Sequence, residues 1–90
     1  MASSIVLYAN YPNPFNPVTN VSFHLPEPAQ VTLVIFDALG REVSRPLDQV
    51  PHSSGRHDVA VDLSRMSTGV YLYQLEAGGQ TLTRAMTLIK

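Results

Sequence analysis

The chain has 90 residues, 44% of them hydrophobic and 14% charged, with a net charge of −1 and no cysteine. A single domain of this size buries only about 60–65% of the surface its unfolded chain exposes, so its core must be well used. The charge balance gives no electrostatic case for nucleic acid or an anionic membrane surface. Without cysteine there is no disulfide, thiolate metal site or cysteine nucleophile.

Low charge with abundant Val, Thr and Ser suits a sheet better than a helical bundle. The apolar runs are too short to span a bilayer, so no membrane insertion is expected. Met1-Ala2-Ser3-Ser4 has no basic region, and the apolar stretch after it is too short for a signal peptide. Two readings remain, a cytoplasmic protein or a fragment of a longer one. The small polar start, residues 1–4, favours a fragment beginning at a linker end.

In chain order, a short strand over Ile5–Tyr8 comes first. "NYPNPFNP" follows, crowding Asn10, Pro12, Asn13, Pro14, Phe15, Asn16 and Pro17 into one connector. Each X-Pro bond pushes the preceding residue toward extended geometry, and asparagine side chains bond nearby backbone as turns do. The segment is therefore expected to be stiff and self-bonded, crossing one end of the fold. Phe15 should plug the core, with Tyr11 against a sheet edge. Pro14-Phe15-Asn16-Pro17 is also a P-x-x-P string, but a buried Phe15 makes it unreadable to an aromatic groove.

Thr19–Leu25 alternates, with Val21, Phe23 and Leu25 on one face, until Pro26-Glu27-Pro28 ends it. Asn20-Val21-Ser22 matches a glycosylation sequon, but Asn20 reads as an ordinary outward strand residue. Val31–Phe36 is the most apolar run and so a central strand. Asp37-Ala38-Leu39-Gly40 reads as a tight turn, with Asp37 bonding local backbone and Gly40 at positive φ. Arg41–Leu47 returns as a polar edge strand blunted by Pro46. Leu47–Ser54 reads as a loop, Gly55–Leu63 alternates again, and Ser64–Thr68 is a connection. Val70–Glu76 is a strand, Gly78-Gly79 a hairpin signal, and Thr81–Ile89 the last strand. About seven short strands with regular turn signals indicate an all-β fold, a single antiparallel β-sandwich of immunoglobulin type, with a closed barrel as the lesser alternative.

"LYANYPNPFNPVTNVSFHLPEPAQVTLVIFDALGREV" and "SGRHDVAVDLSRMSTGVYLYQLEAGGQTLTRAMTLIK" together resemble the C-terminal sorting domain of type IX secretion, the Por-type cargo signal. The landmarks fall in order: NYPNPFNP, V-x-L-x-I-F-D with its G-R-E-V return, G-x-H-x-V-x-V-D, S-T-G-V-Y-x-Y, and a final strand ending at Lys90. The resemblance implies an immunoglobulin-like sandwich, similar in fold to one in the flagellar hook-capping protein. It implies that outer-membrane secretion machinery reads the domain behind an exported cargo. It also implies that a sortase-like peptidase removes the domain and leaves the cargo secreted or at the cell surface. One departure is visible: where the family often has Trp before Asp, this chain has Val61.

The signal candidates that follow are Gly69, Tyr71, Gly78, Gly79, Arg84 and Lys90. They lie on the Gly69–Tyr73 segment, the glycine hairpin and the last strand. On its own sequence context Tyr71 reads as a tyrosine corner, its phenol bonded back to the loop before it. The rival function is a carbohydrate-binding or adhesive module using Tyr8, Tyr11, Tyr71 and Tyr73 as an aromatic platform. His24, His52 and His57 are far apart in sequence, and His57 and Asp58 point to opposite strand faces. With no nucleophile elbow and no D-x-D-x-D loop, no enzyme, metal or cofactor is expected.

Overall fold

The computed structural model describes residues 4–90. The expected linker end at residues 1–4 therefore lies, apart from Ser4, outside the described residues. Strands β1 (Val6–Leu7), β2 (Val18–Leu25) and β5 (Gly55–Asp62) form one sheet in the order β1-β2-β5. Strands β3 (Ala29–Phe36), β4 (Glu42–His52), β6 (Gly69–Ala77) and β7 (Gln80–Leu88) form the other in the order β4-β3-β6-β7. All named pairs are antiparallel. This is the all-β sandwich the strand pattern predicts. The chain changes sheet at Pro26–Pro28, where proline ends the ladder, again at Ser53-Ser54, and again at Leu63–Thr68.

The two inner faces supply the core. Val21, Phe23 and Leu25 of β2 meet Val31, Leu33 and Ile35 of β3, Tyr71, Tyr73 and Leu75 of β6, and Met86 and Leu88 of β7, all buried. Each such aliphatic or aromatic side chain contributes roughly 1.5–3 kcal/mol through burial. Register is pinned because a slip of one residue would turn this whole set to solvent. The β2–β5, β3–β6 and β6–β7 ladders accordingly run without a break. Val61, at the family's frequent Trp position, is buried in the same core.

The fourth strand departs from expectation. Residues 47–52, read as loop, continue β4 through Pro46 and Pro51 to His52. The strand is at a sheet edge, where a missing proline N–H can face outward instead of leaving a ladder bond unmade. Its pairing with β3 shifts register between Val31 and Leu33, between Leu33 and Ile35, and between Ile35 and Phe36. Gln49 takes a left-handed φ of 54°, and its N–H donates to Thr32 Oγ1 at 3.1 Å instead of to a ladder carbonyl. These irregularities twist the edge and leave it a poor template for another strand. β3 also starts two residues earlier than expected, with Ala29 opposite His52.

Candidate functional site

The proline-asparagine segment lies across one end of the sandwich. The bonds Tyr11-Pro12, Asn13-Pro14 and Asn16-Pro17 are cis. Its backbone is fastened at both ends: Tyr11 and Asn20 exchange hydrogen bonds of 3.0 and 2.9 Å, and Leu63 N donates to Pro17 O at 3.0 Å. Asn10 is buried. Its amide nitrogen donates to Pro12 O and Thr19 Oγ1, and its backbone N–H donates to the Tyr73 phenol. Phe15 is 2% exposed and plugs the core as predicted. Tyr11 differs from expectation: its backbone holds the edge of β2, but its side chain is 80% exposed. Its pairing is made by main chain, and the alternation of a strand then turns the ring outward.

The same segment covers part of the last strand. Phe15 N donates to Thr87 O and Ile89 N donates to Phe15 O, both at 3.0 Å, in a parallel bridge to β7. Asn13 Oδ1 accepts from Thr87 N at 3.0 Å. Further along the edge, Thr83 and Ala85 keep outward backbone groups with no backbone partner among the described residues. Arg84 reaches from β7 to Leu7 O at 3.3 Å. The Tyr73 phenol donates to Tyr8 O at 2.8 Å. Burial pushes this phenol's pKa up, opposed by the Asn10 N–H and the Arg84 charge.

At the same end lie the Asp37 turn, the connection from β5 to β6, and Lys90. Asp37 Oδ1 accepts from Leu39 N and Arg41 N, both at 2.9 Å, and Arg41 Nε donates to Oδ2 at 2.7 Å. The Arg41 backbone N–H is the main cause holding the Asp37 carboxyl below its ordinary pKa. Gly40 has φ 83°, as the turn requires. Tyr71 is buried, and its phenol donates to Ser67 O at 2.6 Å, so the tyrosine corner is present. The Lys90 ammonium donates to Ser64 O and to Met66 O (3.0 Å for the latter), and Lys90 N donates to Thr68 Oγ1 at 2.9 Å. Between the Asp37 turn and residues 65–71 opens a cleft of about 590 Å³. Leu39, Val70, Arg41 and Arg65 are among its lining residues. Leu39 is 78% exposed, and Val70 and Ile89 are each 49% exposed, which puts apolar surface at this end.

The sequence candidates therefore divide by position. Gly69, Tyr71 and Lys90 share one end, with Gly69 opposite Leu88. Gly78 and Gly79 lie at the other end, in the β6–β7 turn with φ 55° and 77° and Gly78 beside Ile5. Arg84 stands between them on β7 and ties it to β1.

Tyr71 and Tyr73 are buried and Tyr8 lies under Arg56, 4.7 Å from its ring centre, so the four tyrosines form no common platform. The expectation that the histidines are far apart in sequence holds only for His24, because His52 and His57 are five positions apart and meet in space. His52 and His57 have ring centres 4.8 Å apart, and both pack on Phe23. Only the tight corner between β4 and β5 could have signalled this pairing. Asp58 faces away and accepts from Ser22 Oγ. No group of three or more potential metal-ligating side chains occurs among the described residues.

Comparison with curated proteins gives no match, and neither does comparison with solved structures. The family model described as "Secretion system C-terminal sorting domain" matches residues 9–90, from just before NYPNPFNP to Lys90. With a match over nearly the whole chain and the seven-stranded sandwich in place, the chain belongs to the secretion-system C-terminal sorting domains, which carry the sorting signal for type IX secretion.

Proposed function

We propose that the secretion machinery reads this domain at the end of the sandwich where Lys90, residues 64–70 and the Asp37 turn meet. The observation that carries this is the bonding of Lys90 to Ser64, Met66 and Thr68. It joins the last strand and the β5–β6 connection into one continuous face. That face combines a cleft, exposed Leu39, Val70 and Ile89, and Arg65, which has no acidic partner among the described residues. Exposed apolar groups beside unpaired charge are what a recognised surface offers. Tyr71 supports the face from within and is not itself available. Gly78 and Gly79 shape the far turn, and Arg84 fastens the first strand to the last.

The domain is a signal and performs no catalysis. The cargo precedes it in the parent protein, a sortase-like peptidase is the partner that releases it, and the cargo ends outside the cell. The test is a periplasmic reporter fused ahead of the domain in a host with the secretion system. Truncating Arg84–Lys90 also removes Met86 and Leu88 from the core, so surface substitutions are cleaner. Val70→Asp with Ile89→Asp should hold the reporter in the periplasm, whereas Gln80→Asp at the far turn should not. Normal export of the first variant would sink the proposal.

A further inference from the structure

The connection from β5 to β6 is held from two sides. Inside the sandwich, the Tyr71 phenol takes the Ser67 carbonyl. Outside, the Lys90 ammonium takes the carbonyls of Ser64 and Met66, and the Lys90 N–H takes the Thr68 hydroxyl. The remaining hydrogen bonds of the connection are Leu63 N to Pro17 O at 3.0 Å, at its first residue, and two short-range ones, Ser64 N to Asp62 Oδ1 and Met66 N to Leu63 O, both at 2.9 Å. An ammonium group has three donors and no acceptor, which suits a cluster of carbonyls that water would otherwise solvate. Lys90 is the chain's only lysine. Its side chain is spent on the fold's own backbone and makes no ion pair among the described residues.

We propose that Lys90 is a positioning residue. It latches the Ser64–Thr68 segment into the conformation that forms one wall of the cleft, and the machinery reads that ordered wall and not the ammonium group. The proposal rests on the reading that this end of the domain is the recognised one. A latch also explains why a flexible lysine stands at this position: its stem reaches across from β7 to a loop on the far side of the β6 terminus. The loop's outward side chains, Arg65 among them, remain free for a partner.

The experiment has two arms. In the purified domain, amide hydrogen exchange is followed at Met66, whose N–H donates to Leu63 O, for wild type, Lys90→Met and Lys90→Arg. Lys90→Met keeps the length and loses the side-chain donors. Exchange at this amide should rise about tenfold while the core strands and the melting temperature hold, because the opening is local. Lys90→Arg keeps donors and charge and should restore protection. In the second arm the same variants are placed in the reporter fusion, with Arg65→Glu added. Export should fall about tenfold for Lys90→Met, recover for Lys90→Arg, and fall for Arg65→Glu although its loop stays protected. Unchanged exchange in Lys90→Met overturns the latch. So does an export defect in Lys90→Arg despite restored protection, which would mean that the lysine is read directly. Both outcomes are independent of Val70→Asp with Ile89→Asp, which tests whether this end is recognised at all.

Discussion

Phe15→Ala tests how much of the domain depends on the proline-asparagine segment. The ring is 2% exposed in the core beside Leu88, and its backbone bonds to Thr87 and Ile89 do not need the ring. The substitution therefore removes side-chain packing and leaves the bridge chemically possible. Flanking prolines restrict any collapse into the space left, so the cavity cost should be near its usual full size. Loss of a buried phenylalanine costs about 3–5 kcal/mol. A domain of this length has a total stability of roughly 5–13 kcal/mol, so the loss is a large share of it. Unfolding 90 residues carries an entropy of about 190 cal/mol/K, so the melting midpoint should fall by about 15–25 °C. Thermal and urea unfolding followed by circular dichroism measure this, with Phe15→Leu as the partial control. A loss under about 1 kcal/mol would show that the ring plugs nothing essential. Export of a Phe15→Ala fusion should fall only in step with the folded fraction.

Asp37→Asn tests the turn. The folded carboxyl titrates below its unfolded value, so its stabilisation is present above the unfolded pKa and lost as pH falls through the folded one. The stability gap between wild type and variant, measured by urea titration, should therefore be widest near neutral pH and close under strong acid. A gap that widens in acid would reverse the assignment. Tyr71→Phe removes the donor to Ser67 O and leaves that carbonyl one partner short. It should cost about 1–2 kcal/mol and raise exchange in the same loop that Lys90 holds. An unchanged loop would remove the corner from the account of the site.

Much of the fold is legible because one face of each sheet is buried and one is not. Val21, Phe23 and Leu25, or Tyr71, Tyr73 and Leu75, declare their strands through period two alone. The Asp37 turn, the Phe15 plug and the Tyr71 corner are legible for another reason: each is a local interaction between residues close in sequence, or a large apolar ring with nowhere else to go. β4 is not legible past Leu47, because an edge strand with two prolines and a left-handed Gln49 shows no alternation to read. The approach of His52 to His57 depends on the chain turning from one sheet to the other within Ser53-Ser54, which no periodicity encodes. The outward Tyr11 ring follows from a main-chain bridge to Asn20 that its neighbours do not announce. The Lys90 bonds reach back to residues 64–68, and only the folded sandwich brings that loop beside the last strand. The candidate face is thus readable in its parts and unreadable as a face.

The parallel bridge between Phe15 and Leu88 also determines how the domain bears tension. Ile5 lies beside Gly78 at one end of the sandwich, and Lys90 leaves the core at the other. A pull applied between these points draws the first segment and the last strand past each other lengthwise. The two Phe15 bonds and the Asn13–Thr87 bond are then loaded together, in shear, instead of opening one after another. Forced unfolding is governed by the unfolding rate and not by equilibrium stability. Asn13→Ala should therefore lower the rupture force between residues 5 and 90 by more than its small effect on the melting temperature suggests. A sorting domain drawn outward by one end while its cargo holds the other would meet that load along its strongest direction.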